Sequence, residues 1–510
     1  MMEVKFESKS KRRKDDAVNL LILLFIVSLL GVYAITTTIL IAQDGVYYIQ
    51  QAQKLSSNPT DVIKLHPPGY PFLIFIAHKF VSLFSNNPSA LTWIYSAQST
   101  TLLCRLFAII PLYFIGKLLV GSRNSFWAML ILIVLPYPSE FGSDVLRDWP
   151  HILFLAMGFL FLLLGVMEGK WWMFGIVGFA SGLGHIIRPE CAQLVVYGLL
   201  WLLFRLLLPK HNMNRLRLLC ALFVLLIGFA VPAMPYMRAR GKILPARLKD
   251  LVTYSELQSD KIQQWNIAGY NGAYTAAGVG VPENIAKALG RLIGEISDDL
   301  FYYFVPALVI GIYSHFRRKS TTIDVERFFI FAFVLLNIIM MILLYCFSQY
   351  ISRRHCLPLI VFLIFYVPEG LETLAGWLRS RSSKSQLETD RHPQLCFFIL
   401  LVTGVGICLP KLFRPIRVDK QGYRAAAKWL RENSKQEDTV AVPDMRISFY
   451  AERKGLMYSK EIPKQAKYVV RIVKSKNEEQ DFDRTVQKEY SVRVDKRKRS
   501  EKRLVIYRNL

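Results

Sequence analysis

The chain has 510 residues, is 53% hydrophobic and carries a formal charge of +26. Its apolar runs approach the roughly 20 residues that cross a bilayer, and a soluble core cannot hide so many. The charge does not indicate nucleic acid, because no nucleic-acid motif accompanies it. Much of the Lys and Arg lies in short loops beside apolar runs, where the positive-inside rule accounts for it. The seven cysteines lie in or beside apolar segments, so neither a disulfide framework nor a zinc knuckle is expected.

Lys11, Arg12, Arg13 and Lys14 precede the first apolar run, 17–42. That run is too long for a signal-peptide core and lacks a small-x-small cleavage site, so it is expected to be a retained span with residues 1–16 in the cytoplasm. The apolar stretch 72–84 is short, interrupted by His78 and Lys79 and preceded by Pro67, Pro68 and Pro71, and is expected to be an interfacial helix. Counting it as non-spanning places Lys117/Arg123, Lys170, Lys210/Arg215, Arg317/Arg318/Lys319 and Arg379/Arg381/Lys384 together on the cytoplasmic side. About eleven spans follow, near 17–42, 96–119, 126–140, 149–167, 171–187, 190–208, 216–236, 299–316, 327–347, 356–376 and 395–411.

The membrane region is thus 17–412, with outer loops at 43–95 and 237–298, and residues 413–510 form a separate extracytoplasmic domain. A helical stretch at 423–432 and β-rich runs at 439–442, 468–473, 490–494 and 504–507 predict a small α/β fold there. Its basic stretch 496–503 reads as a solvated or headgroup-facing surface.

Polar side chains gather at the outer ends of the spans, where an ionisable group is costly enough to warrant a functional reading. Asp44 follows the first span and opens Asp44-Gly45-Val46-Tyr47-Tyr48-Ile49. As an N-cap its carboxylate would satisfy free amides of an interfacial helix. As a general base it would take a proton from an acceptor hydroxyl at the membrane boundary, and the two roles are compatible. In His66-Pro67-Pro68-Gly69-Tyr70-Pro71 the prolines fix a rigid entry to the next helix, and His66 by itself reads as structural. Glu140, Asp144 and Asp148 are spaced by four, which predicts one helical face, with Arg147 completing an ion-pair cluster. Arg188-Pro189-Glu190 reads as a tight outer turn, either salt-bridged on itself or touching substrate. Ser352-Arg353-Arg354-His355, followed by Pro358, puts positive charge on the outer side, against the topological bias. Guanidinium groups there suit bidentate binding of phosphate oxygens and stabilisation of a phosphate leaving group, with headgroup anchoring as the competing reading.

The order of these motifs resembles the GT-C membrane glycosyltransferases of the protein O-mannosyltransferase (dolichyl-phosphate-mannose protein mannosyltransferase-like) and aminoarabinose-transferase type. The tail, Gly422-Tyr423-Arg424-Ala425 through Trp429-Leu430-Arg431-Glu432-Asn433 and Val440-Ala441, resembles the start of that family's extracytoplasmic domain. The resemblance implies an α-helical polytopic GT-C fold. It also implies that a sugar passes, with inversion, from a polyprenyl-phosphate carrier to a glycan, lipid or protein acceptor on the non-cytoplasmic face. By position Asp44 matches the essential acid of the first outer loop. Arg353, Arg354 and, less directly, Arg188 are expected on the donor phosphate. Tyr47, His66, Glu140, Asp144, Arg147, Asp148, Glu190 and His355 are candidates for the substrate or acceptor site. No cofactor is required, and a divalent metal is not called for, though Asp44 with another carboxylate could bind one. Gly45 departs from the family, many of whose members carry a second acid there. The absence of any N-x-Ser/Thr sequon favours a bacterial plasma membrane. A transporter or lipid-sugar flippase, which would need polar groups at the bilayer midplane, and a catalytically silent binding scaffold are the alternatives.

Overall fold

The computed structural model describes residues 2–84, 89–207, 214–241, 281–317, 323–348, 350–382, 393–458, 462–463, 465–474, 486–495 and 502–509. Most of the second outer loop, the basic stretch 496–501, and Lys210, Arg318, Lys319 and Lys384 lie outside the described residues.

Among the described residues eight helices are long and apolar enough to cross a membrane. They are α1 (Met2–Thr37, its apolar part Lys14–Thr37), α5 (Ala90–Val120), α8 (Asp148–Glu168), α10 (Gln193–Leu207), α11 (Arg215–Arg240), α14 (Ile323–Ser348), the pair α15 (Arg353–Leu363) and α16 (Val367–Ser382), and α17 (Pro393–Leu412). Two shorter apolar helices, α6 (Ser122–Val134) and α9 (Met173–Ile187), and the helix α13 (Val305–Arg317) occupy the remaining expected spans. Outside the bundle, α2 (Gln43–Lys54), α3 (Pro59–Leu65) and α4 (Gly69–Ser82) fill the segment expected as the first outer loop, and α12 (Val281–Asp299) closes the segment expected as the second. Helix α4 buries Tyr70, Ile74 and His78 and exposes Phe72, Ile76 and Phe80, the two-faced pattern of a helix lying at an interface. The chain is a multi-pass membrane protein.

Contacts between helix ends sort the molecule into two sides. Asp16 of α1 pairs with Lys117 at the end of α5 and accepts from Tyr113 and from Ser122 at the start of α6. Arg123 meets Glu372 of α16 at 3.6 Å. These are the ends that the charge pattern assigned to one side together.

The expected span 126–140 is broken. Helix α6 ends at Val134, and a separate short helix, α7 (Pro136–Phe141), follows, because Pro136 and Pro138 cannot donate to a continuing helix. The break frees carbonyls inside the protein, and the fully buried Arg105 of α5 answers it. Its guanidinium donates to Ile133 O at 3.1 Å and Ser139 Oγ at 3.2 Å. Elsewhere the helices approach closely where side chains are smallest. A Cβ on Gly311 of α13 would strike the Tyr366 carbonyl and one on Gly370 of α16 the Ala307 carbonyl, so this crossing requires both glycines. One turn beyond this crossing His315 lies between Glu369 (2.9 Å) and Glu326 (3.0 Å), joining α13, α14 and α16.

The C-terminal domain is a five-stranded mixed sheet in the order β2-β1-β3-β5-β4. Strands β1 (Thr439–Val442), β2 (Lys454–Met457) and β3 (Tyr468–Val473) are parallel, and β4 (Val486–Arg493) and β5 (Arg503–Asn509) add antiparallel pairs. Helices α18 (Gln421–Asn433) and α19 (Met445–Ala451) pack against it, burying Ala426, Ala427, Leu430 and Ile447 over Val440, Val442, Val470 and Ile506. The expected helix and four strands are present. The expectation missed α19 and the edge strand β2, each too short for its period to register.

Candidate active site

The segment 38–42 joins the C-terminal end of α1 to α2, and half of its backbone polar groups are held from another part of the chain. Ile39 N donates to Ile416 O at 3.1 Å, Leu40 O accepts from Arg417 Nη1 at 3.0 Å, and Ile41 N donates to the Tyr450 hydroxyl at 3.1 Å. Ile41 O accepts from Arg446 Nη1 at 3.1 Å, and Ala42 N donates to Asp144 Oδ1 at 2.9 Å. Arg446 is itself fixed by Asp444, the N-cap of α19, at 2.5 Å. Burial works against the Asp444 charge, but Arg446 outweighs it and holds the carboxyl below its ordinary range. Asp44, two residues beyond this segment, is thus placed by the C-terminal domain and the α7–α8 turn together.

Asp44 is not the N-cap of α2; Ala42 takes that position, and Asp44 lies in the first turn. Its Oδ2 accepts from Arg354 Nη1 at 2.9 Å, with 21% of the Asp44 and 31% of the Arg354 side chain exposed. Arg354 is delivered by the first turn of α15. There Ser352 and His355 form a reciprocal capping box, so His355 serves the backbone, with Nδ1 3.0 Å from Ser352 Oγ.

A second, buried pair lies close to the first. Asp148 opens α8, and its Oδ1 accepts from Arg188 Nη1 at 2.7 Å; Arg188 Nε approaches Glu190 at 3.2 Å. Arg188-Pro189-Glu190 is a salt-bridged turn between α9 and a short 3-10 helix, as one of its two readings anticipated. Arg147, Arg354 and Asp148 all act electrostatically on the Tyr48 phenol, which places both ion pairs around α2. Burial pushes the Tyr47 phenol up to about 12, so it remains a neutral hydrogen-bonding group at pH 7. The Tyr47 ring meets His66 edge-on at 5.1 Å between centroids. Partial desolvation, then Arg147 and Arg240, hold the His66 imidazole below the usual histidine range. Three guanidinium groups, Arg147, Arg188 and Arg354, thus share one region with Asp44, Asp148 and Glu190.

Not all candidates join this group. Glu140, Asp144 and Asp148 do not share a helical face, because α7 ends at Phe141 and Asp148 begins α8. Asp144, fully buried, binds its own neighbour Val145 N (2.7 Å) and Ala42 N and pairs with Arg417 at 2.6 Å; Glu140 is 4.0 Å from the same guanidinium. Burial opposes the Arg417 charge, but the two acids overcome it and raise its pKa above the ordinary arginine value. Arg353 diverges from Arg354: its guanidinium lies over the Tyr137 ring at 4.0 Å and 3.8 Å from Glu295. Arg417, Arg446 and Tyr450 are neighbours of this group that the sequence did not single out, since none stands in a recognisable motif.

The glycine after Asp44 has a steric cause. Gly45 is buried on the α7–α8 turn, where an added Cβ would lie 2.8 Å from Val145 Cβ and 3.2 Å from its carbonyl oxygen. Gly45→Asp is therefore expected to destabilise the fold by about 1–3 kcal/mol through overpacking rather than to supply a second working acid. A thermal unfolding scan of the purified variant checks this, and an unchanged midpoint would contradict it.

Residues 65–234 match the family model of dolichyl-phosphate-mannose-protein mannosyltransferase. No curated protein matches the chain by sequence. Among solved structures, ArnT from Cupriavidus metallidurans in the apo state aligns with a TM-score of 0.54 at 13% identity, over 96% of this chain and 98% of that one. ArnT bound to undecaprenyl phosphate gives 0.54 at 12% identity, over 96% and 97%. The oligosaccharyltransferase AglB from Archaeoglobus fulgidus, in complex with an inhibitory peptide and a dolichol-phosphate, gives 0.52 at 13% identity, over 90% and 69%. The chain has the GT-C glycosyltransferase fold over nearly its whole length.

Proposed function

We propose that the protein transfers a sugar from a polyprenyl-phosphate carrier to a hydroxyl acceptor on the extracytoplasmic face of a bacterial plasma membrane, with its N-terminus cytoplasmic. The Asp44–Arg354 ion pair carries this reading. A carboxylate suited to accept a proton and a guanidinium suited to hold phosphate already touch, at the level where a lipid phosphate and water meet. Polyprenyl phosphate bound to ArnT, whose fold this chain shares, supports the donor class.

In the proposed reaction the acceptor oxygen attacks the anomeric carbon as the carbon–oxygen bond to phosphate breaks. The bonding pair leaves with polyprenyl phosphate, and the acceptor proton passes to Asp44. A donor phosphate competes with Asp44 for Arg354, so donor binding itself releases the carboxylate to act as base. Arg188 and Arg147 add positive charge where the leaving phosphate gains negative charge, and preorganised cations of this kind lower the barrier. A transporter would need its polar groups at the midplane. Several polar groups buried within the bundle, Arg105, the His315 cluster and the Gln193–Asn337 pair, are bonded to neighbouring helices, which favours a fixed scaffold over a carrier.

Arg354→Ala is expected to raise the donor KM about tenfold, the effect of losing one charge-assisted contact. Arg354→Lys, which keeps charge without the planar fork, should fall between. Steady-state transfer from a radiolabelled polyprenyl-phosphate sugar measures both, and an unaltered donor KM in the alanine variant would remove Arg354 from the donor site.

A further inference from the structure

A cavity of about 330 Å³ lies on the other side of the Asp144–Arg417 pair from Asp44, between α7, the outer end of α1 and the segment that follows α17. Lys411, Arg414 and Arg417 line it, with Glu140 and Asp419 as the acidic members and Ala34, Leu412 and Pro136 as apolar wall. Lys411 Nζ stands 5.4 Å from the centre of the Tyr137 ring, whose other cationic neighbour is Arg353. Three cations, Lys411, Arg414 and Arg417, therefore line the cavity, and Arg353, expected beside Arg354, shares the Tyr137 ring with Lys411 without lining it.

Its height in the membrane is fixed by two span ends. The apolar part of α1 ends at Thr37 and that of α17 at Leu412, and Tyr33 of α1 donates to Phe413 O at 2.7 Å. Below the cavity α17 exposes Val402, Ile407 and Leu409, and α1 exposes Leu29 and Val32, a surface suited to acyl or prenyl chains. Positive charge on this side runs against the topological bias, so membrane insertion does not explain it. Arginine and lysine set above an apolar, lipid-facing surface are the chemistry that recognises a lipid phosphate.

We infer that this cavity binds the phosphate of a membrane lipid whose chain lies along the exposed faces of α1 and α17, at a site separate from the Asp44–Arg354 pair. Two sources share this chemistry, a bulk anionic phospholipid and a polyprenyl phosphate, and both present a phosphate on an apolar tail. The inference does not depend on the transferase reading, because it concerns binding alone and uses no residue of the Asp44 group.

The test is native mass spectrometry of the full chain after reconstitution with vesicles of phosphatidylcholine doped with phosphatidylglycerol, undecaprenyl phosphate, or the phosphate-free controls diacylglycerol and undecaprenol. One retained phosphate lipid per chain is expected, lost by about tenfold or more in a Lys411→Ala/Arg414→Ala variant and kept in Lys411→Arg. Retention of phosphatidylglycerol alone would identify a structural phospholipid, and retention of undecaprenyl phosphate alone a carrier-lipid site; either supports the shared recognition. Equal retention of the phosphate-free lipids by the wild-type chain overturns it without reference to any variant. So does undiminished phosphate-lipid binding by a folded double variant. Sugar transfer by the double variant is expected to proceed at the wild-type rate, so failure of this site and failure of Asp44 as base are separately visible.

Discussion

Replacement of Asp44 by Asn is expected to lower sugar transfer by about a hundredfold or more while leaving the protein folded. Asparagine matches the shape of aspartate and still offers Arg354 a carbonyl oxygen, so the first turn of α2 keeps its contact across 2.9 Å. What it loses is the ability to take a proton. Both partners are partly solvent-exposed, at 21% and 31%, so losing the charge should cost no more than about 1 kcal/mol of stability. The two effects are therefore well separated in size. Transfer from a panel of radiolabelled polyprenyl-phosphate sugars, measured beside thermal unfolding of the same preparation, reads both. A stable Asp44→Asn protein working at the wild-type rate would end the general-base assignment. A variant that fails to fold would instead be set against Asp44→Glu, which keeps the charge and should retain part of the activity.

Much of the architecture is legible in the sequence because a membrane imposes strong, local rules. Hydrophobic length alone locates the spans without reference to packing. The C-terminal strands at 439–442 and 468–473 are equally plain, being β-branched runs bounded by polar residues. Helix spacing failed at 140–148. Three acids at intervals of four suggested one face, but Pro136, Pro138 and Gly142 break the chain and send Asp144 toward Arg417 and Asp148 toward Arg188. Arg353 and Arg354 were read as one basic site because they are adjacent, yet neighbouring residues on a helix point about 100° apart, and the two guanidinium groups serve different partners. Arg417, Arg446 and Tyr450 were invisible for another reason. Their meaning lies in the backbone of residues 40–41, some four hundred positions earlier, and no local pattern reports a contact of that range.

That long-range contact leads to the largest expected effect on stability. Asp144→Ala should cost about 3–5 kcal/mol, because it leaves the Arg417 guanidinium without its buried partner and strips the Ala42 and Val145 amides of their acceptor. The loss reaches the proposed chemistry through the chain. Segment 38–42 carries Asp44 two residues on, and an ångström of misplacement at a reacting group costs about a hundredfold in rate. Asp144 is thus a positioning residue, and its signature differs from that of a donor contact: kcat should fall while the donor KM stays near the wild-type value. Arg446→Ala should act in the same direction from the opposite side of the segment, by releasing the Ile41 carbonyl and leaving Asp444 unpaired. Because both variants loosen one segment, their effects on kcat should be less than additive when combined, and a double-mutant cycle measures that coupling. Additive losses, or a fall in kcat for neither variant, would show that the C-terminal domain and the α7–α8 turn stabilise the fold without aiming the carboxylate.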